Sequence, residues 1–375
     1  MKKILFGITG LTIGGAERVL VDLANELSKS YDITIFALYA KGELEKELNS
    51  NVKLKSLFKY SYKEMSKLKQ KIVVPLKVLL LKNSIYNKNI KGNYDVEIAF
   101  LEGPITRLFS VKNKNVRKIA WVHNDISLVF GKGLKARLKK YLDKKIYDKY
   151  NDLVFVSKEN MCDFDKTYTN LNISDEHKKV IYNYIDKEKI IKKSLEDIDI
   201  YFKKEDINFV TVSRLVYQKG IDRIIEIHKK LIESGYNHKF YVIGDGPERE
   251  KLENLIKENK VENSFFLLGQ KENPYPYIKN ADYFCLLSRF EGYGMVLEEA
   301  KILGKPIIIT DTAAREAVED YDKKWILENS NDGIYNGLAE IIEKRNKDID
   351  GNYNENMKEY DNTKIIEKIK EFIGE

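Results

Sequence analysis

An apolar run, a glycine-rich turn and an amphipathic helix follow one another at residues 281–304, and this order restricts the fold more than any other feature. Ala281-Asp282-Tyr283-Phe284-Cys285-Leu286-Leu287-Ser288 reads as a buried strand. Met295, Leu297, Glu299, Ala300 and Leu303 continue as a helix, which Gly304-Lys305-Pro306 stops. Between them lies Phe290-Glu291-Gly292-Tyr293-Gly294. Such a turn offers backbone N–H groups and the positive end of a helix dipole, a ready place for an anion. Glu291 stands in the turn and Glu299 one turn inside the helix, placed to reach hydroxyl-rich parts of a ligand whose phosphates lie at the helix start. An ordinary βα connection with two solvated glutamates would give the same letters.

The start of the chain repeats the unit. Lys3-Ile4-Leu5-Phe6-Gly7-Ile8-Thr9 is a strand, Gly10 to Arg18 is a loop containing Gly14-Gly15, and Leu20, Leu23, Ala24 and Leu27 follow helical spacing. Gly14-Gly15 permits close approach of backbone to a ligand; the loop is not G-x-G-x-x-G, so a dinucleotide reading has little support. Further apolar runs at 31–38, 95–100, 118–122 and 152–157 alternate with helical stretches, which argues for a parallel sheet wrapped by helices. His123 follows the strand ending in Trp121-Val122, at the carboxyl end where open α/β sheets bind ligands. A packing or capping histidine is the alternative.

The second half carries its own series. Past a highly charged stretch from Lys187 to Asp206, Asn208 to Ser213 is a strand that runs into Arg214-Leu215-Val216-Tyr217-Gln218-Lys219-Gly220. A helix follows with Ile221, Ile224, Ile225, His228 and Leu231 on one face. Arg214 and Lys219 thus flank a turn at a strand end, one able to fork onto phosphate oxygens and the other a point charge. Strands at 239–243, 264–269 and 306–311 complete an α/β chain of two Rossmann-like domains, 1–184 and 185–375, with a final helix near 356–375 able to return to the first. A length of 375 residues suits two such cores.

Charge separates the halves. Residues 1–150 hold 30 Lys+Arg against 14 Asp+Glu, a net of +16, so the remainder carries −9 of the chain's +7. Lysines crowd 62–91, including Lys67, Lys69, Lys71 and Lys77 around the apolar Ile72 to Leu81. They crowd 131–149 again, including Lys139 and Lys140. Basic amphipathic helices of this kind suit an anionic membrane surface; lysines facing water over a buried apolar face give the same pattern. No zinc-finger or RNA-recognition signature accompanies them, so nucleic acid is not expected. No apolar run is long enough to cross a bilayer. Ile4 to Leu11 behind Lys2-Lys3 mimics a signal peptide but lacks a small-residue cleavage site. Cys162 and Cys285 read as reduced core thiols of a cytoplasmic protein.

Taken in order, Gly14-Gly15-Ala16-Glu17-Arg18, His123, Ser213-Arg214-Leu215 with Lys219-Gly220, Gly244-Asp245-Gly246-Pro247 and Glu291-x7-Glu299 resemble the retaining glycosyltransferases of family 4. The bacterial surface-polysaccharide members are the type in view, and the resemblance spans nearly the whole chain. It implies the GT-B architecture, two Rossmann-like domains facing across a cleft, and a nucleoside-diphosphate sugar donor, UDP-linked. It also implies that Arg214 and Lys219 hold the diphosphate, that Gly14, Gly15, Ser213, Gly244 and the backbone at Val296-Leu297 approach the donor, and that Glu299 binds the ribose. Glu291, with Gly292, Tyr293, Gly294 and Met295 beside it, would hold sugar hydroxyls, and His123 would lie near the anomeric carbon. Ala313-Ala314-Arg315-Glu316 departs from the glycine-containing turn of many members.

The activity implied is metal-independent retention, the acceptor attacking from the leaving-group side, with no cofactor. Asp197-Ile198-Asp199 and Asp348-Ile349-Asp350 match the Asp-x-Asp metal motif of other glycosyltransferases but sit in charged, linker-like stretches. The expected acceptor is a lipid-linked saccharide or glycan of capsule, exopolysaccharide or lipopolysaccharide type, met at the inner face of the cell membrane. A transferase acting on a soluble acceptor and a non-catalytic sugar-nucleotide-binding module are the rival readings.

Overall fold

The computed structural model describes residues 1–61, 64–66, 73–123, 134–203, 205–347 and 362–374. The chain divides into two compact units, Met1–Ile185 with Asn362–Glu375, and Asp186–Asp361.

In the first unit the described residues form a seven-stranded sheet in the order β3-β2-β1-β4-β5-β6-β7. Its strands are β1 (Lys3–Ile8), β2 (Asp32–Tyr39), β3 (Lys53–Phe58), β4 (Val96–Ala99), β5 (Arg117–Val122), β6 (Asp152–Phe155) and β7 (Lys178–Val180). Every pairing is parallel, with Ile4 opposite both Ile33 and Val96. The inner strands are buried along almost their whole length, as strands covered by helices on both faces must be. β3, Lys-Leu-Lys-Ser-Leu-Phe, is an edge strand whose lysines face water. The Asn362–Gly374 helix closes the amino-terminal end of this sheet: Lys2 Nζ donates to Ile373 O (2.7 Å) and Arg117 Nη1 to Phe372 O (2.6 Å). Its apolar face, Ile366, Ile369, Phe372 and Ile373, is buried.

The second unit is a six-stranded parallel sheet ordered β10-β9-β8-β11-β12-β13 among the described residues. Its strands are β8 (Asn208–Val212), β9 (Lys239–Ile243), β10 (Phe265–Gly269), β11 (Tyr283–Leu286), β12 (Ile307–Thr310) and β13 (Lys324–Leu327). Winding runs outward from β8 through β9 to β10, then returns to β11 on the other side of β8. The β8/β11 boundary is therefore the place where the crossovers change direction and leave room at the strand ends. The Ile221–Glu233 helix buries Ile221, Ile224, Ile225, Ile227, His228 and Leu231, the face its spacing predicts. Phe209, Phe240 and Phe265 stack through this core, the last two 5.3 Å apart at 6°.

Beside that stack lies a buried histidine pair. His228 Nδ1 is 2.8 Å from His238 Nε2, His228 Nε2 is 2.8 Å from Ser264 Oγ, and His238 Nδ1 donates to Tyr236 O (2.8 Å). Burial pushes His228 down to about 2, helped by the neighbouring His238, and His238 down to about 4. Both rings are thus neutral in the folded unit. Unfolded, each titrates near 6.5, so acid favours the unfolded chain. The stabilisation is complete above about pH 6.5 and is lost as pH falls toward about 4. We expect the melting temperature of the protein to drop on going from pH 7 to pH 5. A His228→Asn/His238→Asn variant should be less stable at pH 7 yet show a shallower acid slope; equal slopes would exclude the pair as the cause.

Candidate functional site

Two loops at the β8/β11 boundary carry the second-unit candidates. After β8 the chain passes through Ser213 and Arg214 and turns through Tyr217–Lys219 to Gly220, which caps the start of the Ile221–Glu233 helix. After β11, Leu287, Ser288 and Arg289 lead into the glycine turn and the Met295–Ile302 helix. Lys219 Nζ forms an ion pair with Glu291 Oε2, which also accepts from Ser288 Oγ at 3.1 Å. The pair is largely enclosed, with side-chain exposures of 18% and 10%. Arg214 is exposed and makes no ion pair among the described residues. The Ser213 hydroxyl is enclosed without a hydrogen-bond partner among the described residues.

A second set of contacts, which sequence reading missed, clamps the loops together. Arg289 forks onto Asp222 (2.7 and 3.0 Å), donates to Tyr217 O (2.9 Å), and its N–H reaches Gln218 O (2.8 Å). Its guanidinium lies 4.1 Å from the Tyr217 ring centroid. Arg223, itself buried, donates to Leu287 O (2.7 Å) and Asn329 Oδ1 (2.9 Å). The one available signal was positional: Arg289 stands at a strand end, and Asp222 in the first turn of a helix, where an acid is favourable.

Gly294 caps the Met295–Ile302 helix at φ +70°, a conformation that excludes most side chains, and no side chain caps this helix start. Leu297 is buried, so it offers backbone alone, and its N–H is bonded to Gly294 O (2.8 Å). Glu298 is the structural acid of the stretch: it is buried, accepts from Tyr293 Oη (2.6 Å) and pairs with Lys301 (2.9 Å). Glu299 is half-buried in the second turn, with Tyr275 Oη at 3.4 Å from its Oε1. Gly244 has φ +140°, and a Cβ there would fall 1.9 Å from Ser213 O, so β9 and β8 loops touch backbone to backbone. By contrast, a Cβ on Gly15 or Gly292 would meet no atom of the described residues within 4 Å.

In the first unit, Gly14 precedes the Gly15–Leu27 helix with no side-chain cap, and Arg18 pairs with Glu47 (2.6 Å). His123 follows β5. Its backbone N–H donates to Glu102 Oε1, and its ring centroid lies 4.5 Å from that of Phe100. The imidazole is half-buried; Nε2 is enclosed and unbonded among the described residues. Burial pushes its pKa down to about 3, so the ring is neutral at physiological pH.

Several expectations change. Lys67, Lys69, Lys71 and Asp348-Ile349-Asp350 lie outside the described residues, as does the side chain of Lys139. Lys77 is exposed, its Nζ 5.6 Å from the Phe58 ring, and Lys140 is half-buried. On the Val74–Ile85 helix the apolar run read as suited to a membrane surface divides: Val74, Val78 and Ile85 are buried, while Leu76, Leu79, Leu80 and Leu81 are exposed. Helical spacing turns Val78 inward with Val74 and Ile85. Cys162 is exposed rather than in the core, whereas Cys285 is buried in β11. Asp199 of the first Asp-x-Asp triplet is taken by Lys271 and Tyr277. No described helix is long and apolar enough to cross a membrane.

Comparison with known proteins gives one family. Residues 193–363 match the family described as Glycosyl transferases group 1. A Campylobacter jejuni protein, N-acetylgalactosamine-N,N'-diacetylbacillosaminyl-diphospho-undecaprenol 4-alpha-N-acetylgalactosaminyltransferase, is 28% identical over 351 residues, covering 92% of this chain and 91% of its own. The Staphylococcus aureus poly(ribitol-phosphate) alpha-N-acetylglucosaminyltransferase is 25% identical over 70% of this chain and 50% of its own length. Among solved structures, Anabaena HepE, in complex with UDP and glucose, superposes with a TM-score of 0.72 at 17% identity over 100% of both chains. That likeness is one of fold, two parallel-sheet Rossmann-like domains of the GT-B kind.

The Lys219–Glu291 pair has a measurable consequence. Lys219→Met leaves Glu291 enclosed beside a single hydroxyl donor and should cost about 2 kcal/mol in urea unfolding. Adding Glu291→Gln should restore most of that loss. Strict additivity of the two substitutions would show that the charges do not interact.

Proposed function

We propose that this chain, of which residues 193–363 match the group 1 glycosyltransferases, moves a sugar from a UDP-linked donor to a lipid-linked saccharide of a bacterial surface glycan, with retention at the anomeric carbon. The observation that carries the reading is the pair of cations at the β8/β11 boundary: Arg214 exposed and unpaired, Lys219 held against Glu291. As the anomeric C–O bond breaks, negative charge builds on the departing diphosphate. Preorganised cations and the N–H groups at the Met295–Ile302 helix start stabilise it. Arg214 forks onto the phosphates and Lys219 neutralises the bridging side. Glu291, oriented by Lys219 and Ser288, accepts from the sugar hydroxyls, and Glu299 binds the ribose. The unpartnered Ser213 hydroxyl, Gly244 and the backbone of 292–297 complete the donor contacts.

Gly14 and Gly15 are assigned to ligand phosphates. Their own fold leaves room for a side chain at Gly15, which supports a ligand as the reason for glycine there. We assign His123 to the transferred sugar. A neutral imidazole does not oppose positive charge growing at the anomeric carbon, as an imidazolium would. The acceptor hydroxyl attacks from the leaving-group face, and its proton passes to the departing phosphate oxygen. Side-chain cations supply the charge, so no metal is required. The Campylobacter relative's name, which specifies a diphospho-undecaprenol acceptor, supports the acceptor class. The exposed leucines beside Lys77 support work at the inner surface of an anionic membrane.

Arg214→Ala should lower transfer more than about 100-fold while leaving the melting temperature unchanged, because the guanidinium has no structural partner. Turnover should persist in excess chelator, and the pH–rate profile should lack an acid limb from His123 above pH 5. Near-normal activity of Arg214→Ala, or loss in chelator restored by magnesium or manganese, would overturn this mechanism. Donor binding without turnover on any acceptor would mark a binding module instead.

Attachment to the membrane is tested separately. Binding to phosphatidylglycerol vesicles should weaken as salt rises. It should also fall on Leu79→Ser/Leu80→Ser substitution with donor hydrolysis intact. Equal binding to neutral vesicles would count against the electrostatic part.

A further inference from the structure

The end of the first sheet opposite His123 holds a second cluster of cations that the transfer reaction does not use. The stretch 112–116 leads into β5 and the stretch 148–151 into β6, both at the amino-terminal edge of the sheet. Between them and the end of the Val74–Ile85 helix opens a cavity of about 750 Å³, lined by Lys82, Lys112, Lys114, Lys118, Lys149 and one carboxylate, Asp148, among the described residues. Two of these six charges are already committed. Lys118 pairs with the fully buried Glu97 (2.5 Å) and donates to Phe109 O (2.7 Å). Asp148 accepts from the Asn172 N–H (2.9 Å).

The remaining four lysines make no ion pair among the described residues. Two of them converge: burial and the neighbouring Lys149 charge hold the Lys82 amine below its ordinary range. Lysines that serve only solubility spread apart into water, because like charges repel. Like charges drawn together over a concave, polar cavity have the arrangement of an anion site awaiting its counter-charge. The cavity lies within the size range of small-molecule sites, and amide and hydroxyl side chains of Asn83, Asn113, Asn151 and Ser110 line it as well.

We propose that this cavity binds a phosphorylated ligand, with Lys82, Lys114 and Lys149 on its phosphoryl oxygens. A free phosphorylated metabolite and a phospholipid headgroup share this chemistry. The second would lay its chains near Leu79 and Leu80, exposed on the same helix as Lys82. The site lies within the first unit and does not depend on the assignment of the donor residues.

Amine acylation of the full chain, read lysine by lysine by mass spectrometry, tests the proposal without interference from the donor site. At ten times its dissociation constant, inorganic pyrophosphate should slow labelling of Lys82, Lys114 and Lys149 by about tenfold at matched ionic strength. Labelling of the exposed Lys88 and Lys91 should not change. Protection by pyrophosphate assigns a soluble ligand; protection by phosphatidylglycerol vesicles alone, and not by phosphatidylcholine, assigns a headgroup. Lys82→Gln/Lys149→Gln should abolish protection at Lys114 with the melting temperature preserved. Protection by neither probe, equal protection at Lys88 and Lys91, or undiminished protection of Lys114 in the double variant would overturn the site.

Discussion

The fork of Arg289 on Asp222 fixes the second-unit site. Asp222 begins the helix after β8, and Arg289 begins the loop after β11, so two hydrogen bonds of 2.7 and 3.0 Å lock the ends of neighbouring strands to each other. The Asp222 carboxylate strengthens the hold of Arg289 on its proton, and against the opposing effect of burial the guanidinium holds the Asp222 carboxyl below the usual carboxylate range. Arg223 adds a bond from the same helix to Leu287 O. Between these ties the loop from Arg214 to Gly220 has little freedom, and Lys219 is delivered to Glu291. Parallel strands set the spacing, and the arginines set the angle. The placement of Lys219 against Glu291 thus rests on residues that touch neither of them.

The first unit solves a different problem. Its sheet buries Lys118 and Glu97 on adjacent strands, with Tyr86 donating to Glu97 (2.7 Å). Removing either charge alone would leave the other stranded in low dielectric. This cluster sits under the lysine-lined cavity, so the floor of that cavity is already neutral. The cations above it, Lys82, Lys112, Lys114 and Lys149, make no ion pair among the described residues.

Much of this architecture is legible in the letters because buried parallel strands are short, nearly continuous apolar runs, and because glycine marks the turns at their ends. Ile4 to Ile8, Phe209 to Val212 and Ile307 to Ile309 announce themselves in this way. β3 does not: Lys53 and Lys55 interrupt it, since an edge strand has one face in water. β13, Lys-Trp-Ile-Leu, is too short to stand out. Arg214 and Lys219 follow the end of one strand, Glu291 stands in the glycine turn after another and Glu299 in the helix beyond it, so each could be picked out one by one. That Lys219 pairs with Glu291, while Glu298 rather than Glu299 is the acid buried by Tyr293 and Lys301, depends on contacts across 72 residues and on helix rotation. No local pattern reports either. The same limit hid Val78, whose burial follows from which face the helix turns to Phe109 and its neighbours.

The Asn362–Gly374 helix belongs to the first unit although the whole of the second lies between them in the chain. During synthesis, the amino-terminal end of the first sheet must therefore wait for the last-made of these residues. Until then the carbonyl-seeking groups of Lys2 and Arg117 and the apolar seat of Ile369 and Phe372 stand open. Domains generally fold as units as they emerge from the ribosome. Here the second unit is complete first in the sense that matters, and the first is sealed only when its own closing helix arrives. A chain whose second unit has emerged from the ribosome while the Asn362–Gly374 helix has not would carry one finished unit and one unsealed, a natural target for chaperones.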